Sequence, residues 1–125
     1  MNNFIGIIPA RYESSRFPGK PLTVIGRKTM IQRVYEQASK ALHNVVVATD
    51  DTRIKNTVES FGGQVILTDT TLPNGTARCL QAVERLQTNA NIVINIQGDE
   101  PFINPKQIKV LMQLFLDKKR LISEL

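Results

Sequence analysis

The sequence predicts an α/β protein with three layers: a doubly wound, mostly parallel sheet with helices on both faces. Three observations predict it. Short apolar runs without alternation recur at residues 5–8, 45–48, 65–67 and 92–96, the pattern of strands covered on both faces. Stretches with apolar residues at helical spacing separate those runs. A loop carrying Arg11, Arg16 and Lys20 follows the first run, and open α/β sheets bind ligands just beyond the carboxyl ends of their strands.

Taken in order, the run 5–8 stops at Pro9, and the loop after it holds small residues and three permanent cations. Two prolines and a glycine around Lys20 hold that lysine on stiff backbone. Residues 30–42 place Met30, Ile31, Val34, Tyr35, Ala38 and Leu42 on one helical face, starting near Thr29. Asn44 precedes the second strand, which ends at Thr49 and Asp50. Asp51 or Thr52 can cap a helix carrying Ile54, Val58 and Phe61, which Gly62 and Gly63 terminate. A third short strand at 65–67 leads into a polar loop, 68–75. Residues 76–86 read as a helix with Leu80, Val83 and Leu86 on one face. The fourth strand, 92–96, runs directly into Gln97, Gly98, Asp99, Glu100 and Pro101. Asn104 then caps a helix that has Pro105 at its first position and presents Ile108, Leu111, Met112, Phe115 and Leu116.

The alternation of strands and helices reads as one doubly wound domain over 1–125, with no repeat, linker or internal boundary. Right-handed crossovers and the usual strand order put strand one beside strand four at the switch point. Loops 11–20 and 97–101 are therefore expected to open into one crevice.

Composition narrows the ligand. Net charge is +5, and Lys118, Lys119 and Arg120 supply three of those units at the tail. No basic face or stacking platform for nucleic acid is visible among five Phe, two Tyr and no Trp. No apolar run approaches the roughly 20 residues of a membrane span, and residues 1–4 are too short and polar for a signal peptide. The single cysteine, Cys79, has no ligand cluster around it, so a cytoplasmic setting is expected.

Arg forks onto phosphate oxygens and Lys supplies a mobile charge, so the basic loop suits a polyphosphate; a solvated surface loop is the alternative. Asp99 leaves a strand end beside a glycine and can serve as a Mg²⁺ ligand, because Mg²⁺ binds through one or two carboxylates plus phosphate oxygens. It reads equally as a turn residue. Lys20 is followed by Pro21, so this is not a P-loop, and no G-x-G-x-x-G is present. Ser14 and Ser15 lack a neighbouring histidine. His43, the only one, falls at a helix end, which leaves no serine or cysteine hydrolase.

The stretches I-P-A-R-Y-E-S-S-R-F-P-G-K-P-L at 8–22, A-T-D-D at 48–51 and N-I-Q-G-D-E-P at 95–101 resemble those of the 3-deoxy-manno-octulosonate cytidylyltransferases, the CMP-Kdo synthetases. The resemblance runs to about Leu116. It implies a nucleotide-diphospho-sugar transferase-like fold and transfer of CMP from CTP to Kdo, giving CMP-Kdo and pyrophosphate for lipopolysaccharide biosynthesis. By position, Arg11, Lys20 and Asp99 would be catalytic. Ala10, Arg11, Ser14, Arg16 and Lys20 would hold the nucleotide with Gln97, and Asp99 would bind Mg²⁺. Asn74, Gly75, Thr76 and Arg78 match the family's S-G-T-[DE]-R loop against the cytidine.

Two departures lie in that loop, where Asn74 replaces Ser and Ala77 replaces an acid. The family also runs to about twice this length, and its second half brings the sugar site, much of the dimer contact and another metal-binding aspartate. The chain thus reads as an amino-terminal half, a fold incomplete at its C-terminus, whose fourth strand leaves an apolar edge that favours a homodimer. Two alternatives remain at this level: a related sugar-acid cytidylyltransferase such as a CMP-sialate synthetase, and a non-catalytic nucleotide-binding module.

Overall fold

Each apolar run becomes a strand, the two central ones buried throughout or nearly so and the two outer ones only partly covered. The computed structural model describes residues 3–13 and 17–124, with the side chains of the last helix described as far as 117. Its elements are β1 (Phe4–Ala10), a small hairpin of β2 (Val24–Ile25) and β3 (Lys28–Thr29), α1 (Met30–Ser39), β4 (Val45–Thr49), α2 (Thr52–Ser60), β5 (Gln64–Leu67), α3 (Gly75–Leu86), β6 (Ile92–Asn95) and α4 (Pro105–Glu124). The four long strands form one parallel sheet in the order β5-β4-β1-β6. Strand β1 does lie between β4 and β6, with Gly6 opposite Val45 on one side and Ile94 on the other.

Two cores lie on either side of the sheet. On one face Ile8, Val45, Val47, Ile94 and Ile96 pack against Ile31 and Val34 of α1, Ile54 and Val58 of α2 and Ile108 of α4. On the other, Ile5, Ile7, Val46 and Ala48 pack against Cys79 and Ala82 of α3. Three helices on one face and one on the other follow from the strand order. Winding runs outward from β1 through β4 to β5, then returns across the sheet through α3 to reach β6. Ile7, Ile8, Ile31 and Ile54 are fully buried, and each side chain of this size stabilises the fold by about 1.5–3 kcal/mol. Gly6 permits tight packing at the centre of β1. A Cβ there would lie 2.7 Å from Leu42 Cδ1 and 2.9 Å from Ile96 Cδ1.

Three details differ from the sequence reading. Residues 23–29 form a hairpin rather than plain loop, turned at Gly26 with φ of 71°. Helix α1 ends at Ser39, three residues before Leu42, through tighter bonds such as Lys40 N–H to the Gln37 carbonyl. Helix α4 buries Ile108, with Met112 packed at the same core, but leaves Leu111 54% and Phe115 45% exposed, Phe115 edge-on to Phe4. Leu111 and Phe115 join Val110 and Leu114 on an exposed apolar face.

Cys79 gives a test of the second core. Burial pushes its thiol from the ordinary 9.0 up to about 11. A raised folded-state value means that the unfolded chain releases its proton first. Stability should therefore fall as pH climbs from about 9 to about 11, and a Cys79→Ala chain should lose this part of the decline. Urea midpoints of both chains across that range measure it, and parallel curves would refute a buried thiol.

Candidate functional site

The carboxyl ends of β1 and β6 part to open a cleft, and Pro9 shows why. Amide N–H groups along β1 alternate between neighbours. Gly6 donates to Asn44 on the β4 side, whereas Ile7 takes up the β6 side, its carbonyl accepting from Ile96. By the same alternation Pro9 faces β6, where it has no N–H to offer. The strands separate there, leaving a cleft of about 290 Å³ lined by Pro9, Ala10, Arg11, Lys20, Pro21, Gly75, Arg78, Gln97, Gly98 and Asp99. Gly98 lets the β6 loop lie against β1, since a Cβ there would stand 3.1 Å from the Pro9 carbonyl oxygen.

The two loops meet across this cleft. Lys20 opens a single 3-10 turn, Lys20–Leu22, after Gly19 with φ of 74°, and the next residue, Pro21, is buried. Lys20 Nζ lies 3.6 Å from Asp99 Oδ2, with the side chains 40% and 55% exposed. That separation is too long for a hydrogen bond, and an exposed pair of this kind adds little stability. Both charges thus stay available to a ligand.

Arg78 forms the floor. It lies one turn into α3 and is 1% exposed, an extreme placement for a permanent cation. Nη1 donates to Thr68 Oγ1 at 2.5 Å and to the Asp69 carbonyl at 3.1 Å. Nη2 stands 3.7 Å from Asp50 Oδ2, and neither Nη2 nor Nε has a hydrogen-bond partner within the described residues. Burial pulls the Arg78 guanidinium below its usual value; Asp50 opposes this, and the positive charge of Arg11 adds to it. A buried guanidinium with unpartnered N–H groups, under the positive charge of Arg11, suits an anion.

The predicted site residues divide clearly. Ala10, Arg11, Lys20, Gly75, Arg78, Gln97 and Asp99 line one cleft. Asn74 and Thr76 do not line it, and Asn74 Oδ1 is committed to capping α3 by accepting from Ala77 N–H at 2.9 Å. Ser14 and Arg16 lie outside the described residues. Asp50, which faces Arg78, was not anticipated, because it stands 28 positions away in sequence and no local pattern joins them. No cluster of three or more His, Cys, Asp or Glu side chains that could hold a metal ion exists among the described residues. A lone carboxylate opposite a cationic wall nevertheless suits Mg²⁺ held jointly with phosphate oxygens. No described helix is long and apolar enough to cross a membrane.

A doubly wound sheet whose switch-point cleft joins basic groups to one carboxylate marks a protein of the nucleotidyltransferase fold. The comparisons agree: residues 5–123 match the cytidylyltransferase family, and the chain belongs to that family. The match continues past Leu116, further than the motifs alone reach. A 3-deoxy-manno-octulosonate cytidylyltransferase of Parabacteroides distasonis is 52% identical over 125 residues, covering 100% of this chain and 50% of the relative. An 8-amino-3,8-dideoxy-manno-octulosonate cytidylyltransferase of a Shewanella species is 54% identical over 116 residues, covering 90% of this chain and 47% of its own length. Among solved structures, a CMP:2-keto-3-deoxy-manno-octonic acid synthetase complexed with CTP superposes with a TM-score of 0.88 and 44% identity, covering 93% of this chain and 48% of that one. The chain spans about half the length of the curated relatives it matches.

Proposed function

We propose that this chain is the nucleotide-binding, amino-terminal half of a 3-deoxy-manno-octulosonate cytidylyltransferase, which transfers CMP from CTP to Kdo and releases pyrophosphate in the cytoplasm. The observation that carries this reading is the meeting of Lys20 and Asp99 in one cleft at the β1/β6 switch point. The names of the relatives supply the sugar acid, and the CTP-bound structural relative supplies the nucleotide.

In the proposed reaction the anomeric hydroxyl of Kdo attacks the α-phosphorus in line and pyrophosphate leaves. The protein's work is positioning and charge neutralisation. Arg11 and Lys20 hold the triphosphate with Ala10 alongside, and by the family resemblance Ser14 and Arg16 would assist. The first turn of α3, from Gly75, aims the positive end of its dipole at the same space. Arg78 offers its unpartnered Nε and Nη2 to the nucleotide, and Gln97 stands beside it. Asp99 would hold Mg²⁺, which when bound shields the phosphate charges. With the Asn74 oxygen engaged as a helix cap, cytidine contact falls to Gly75 and Arg78, the residues of this loop that line the cleft.

Calorimetry with Mg-CTP and a pyrophosphate-release assay test this reading. These 125 residues alone are expected to bind CTP weakly and turn it over negligibly, because they span only about half the length of the relatives and the family resemblance puts the sugar site in the other half. Absence of any saturable CTP binding would contradict the reading, and CTP binding by a full-length form that releases no pyrophosphate would favour a non-catalytic nucleotide-binding module instead. The Shewanella relatives favour a second sugar, the 8-amino acid; a turnover screen of both sugar acids with a full-length form separates the two.

A homodimer fits the apolar surface. Val110, Leu111, Leu114 and Phe115 on α4 are 45–60% exposed, and such patches recruit partners. The isolated chain is expected to self-associate in sedimentation runs, and a clean monomer at high concentration would contradict this.

A further inference from the structure

The segment A-T-D-D at 48–51 has one aspartate, Asp50, facing Arg78. The other, Asp51, points away from the cleft, yet reaches it by a different route. Its Oδ1 caps α2, accepting from Arg53 N–H at 2.8 Å and Ile54 N–H at 3.2 Å. The same carboxylate receives the Arg53 fork, Nη2 to Oδ2 at 2.8 Å and Nε to Oδ1 at 3.2 Å. So held, the Arg53 guanidinium lies over the Tyr12 ring, with Cζ 3.3 Å from the ring centroid. The Tyr12 ring in turn fills the space beside Gly19, where a Cβ would meet it at 3.0 Å. The Tyr12 carbonyl accepts from Gly19 N–H at 2.6 Å. Tyr12 follows Arg11, and Gly19 precedes Lys20.

We infer that Asp51, Arg53 and Tyr12 form a brace that positions Arg11 and Lys20 for the nucleotide, so that all three are positioning residues rather than catalytic ones. This rests on the reading of the cleft as a nucleotide site. A stability role accounts for the arrangement poorly. The Arg53 side chain is 57% exposed, and exposed ion pairs and cation–π contacts stabilise folds only slightly. What the brace does is orient. A forked pair fixes the plane of the guanidinium, the guanidinium fixes the ring, and the ring and its carbonyl fix the backbone at Tyr12 and Gly19, each next in sequence to one of the two cations. When a binding-competent loop is populated only in part, apparent affinity drops by that fraction.

Two measurements on the 125-residue chain decide it, amide hydrogen exchange at Gly19 and CTP affinity by calorimetry. Asp51→Ser keeps a hydroxyl cap for α2 but loses the fork, and Arg53→Gln loses the guanidinium. Each should speed Gly19 exchange and weaken CTP binding by roughly three- to tenfold, while Val58 in α2 exchanges as before. Tyr12→Phe should match wild type, and Tyr12→Leu should behave like Arg53→Gln. Unchanged Gly19 exchange in Asp51→Ser and Arg53→Gln overturns the brace, as does faster exchange with CTP affinity intact. Failure of the wild-type chain to bind CTP defeats the proposed function instead, and the exchange data still decide whether the brace exists.

Discussion

Replacing Asp50 with alanine should cost about 3 kcal/mol of stability and lower the melting midpoint by roughly 10 °C. The reason lies in Arg78. Its guanidinium is 1% exposed and cannot lose its proton, and Asp50, with a 15% exposed side chain, is the carboxylate 3.7 Å from it. Without Asp50 the buried cation keeps only the Thr68 hydroxyl and the Asp69 carbonyl, and removing one member of a buried pair is the costly operation. Removing both is not. An Asp50→Ala, Arg78→Met chain should regain half or more of the lost stability while losing CTP affinity. Urea denaturation of the two single variants and the double variant measures the coupling. Additive losses would show that Asp50 and Arg78 do not act as a pair.

Replacing Lys20 with alanine should leave the fold intact and weaken CTP binding roughly 10- to 100-fold, the range expected for losing a charge-assisted hydrogen bond to phosphate. Little stability is at stake, because the 3.6 Å contact with Asp99 is long and solvent-exposed. Turnover by a full-length form carrying the same change should fall at least as far, since charge builds on the leaving pyrophosphate in the transition state. Unchanged CTP turnover in that form would remove Lys20 from the site. A large drop in melting temperature would mean instead that the lysine serves the fold.

Much of this architecture was legible in the residues because parallel strands covered on both faces leave uninterrupted apolar runs. Val45, Val46, Val47 and Ala48 have no polar alternation, and all are buried. Helix ends were legible where a side chain does the capping, as at Asp51 and Asn104. The hairpin at β2 and β3 escaped notice because strands of two residues carry no periodicity, and a backbone bond from Met30 N–H to the Thr23 carbonyl helps to hold it. The exposed side of α4 was misjudged for a related reason. Helical spacing marks two apolar stripes there, and only tertiary packing chooses Ile108 and Met112 over Leu111 and Phe115.

The site divides along the same line. That Arg11, Lys20 and Asp99 share one cleft was legible because the loops carrying them leave the ends of β1 and β6, and strand order brings those ends together. Asp50 and the Arg53–Tyr12 stack were not, since their meaning depends on which side chain turns toward which neighbour. Asn74 shows the converse. Its motif position suggested a ligand contact, but its oxygen is taken up by the cap of α3.

Titrating the isotope-labelled chain with CTP and following its backbone amide resonances tests the shared cleft most directly. The expected result is saturable shifts at Arg11, Lys20, Gly75, Gln97 and Gly98, strongly reduced in Lys20→Ala. Shifts gathered instead around Phe4, His43 and Met112, which line a separate pocket at the start of β1, or no saturable shifts at all, would contradict it.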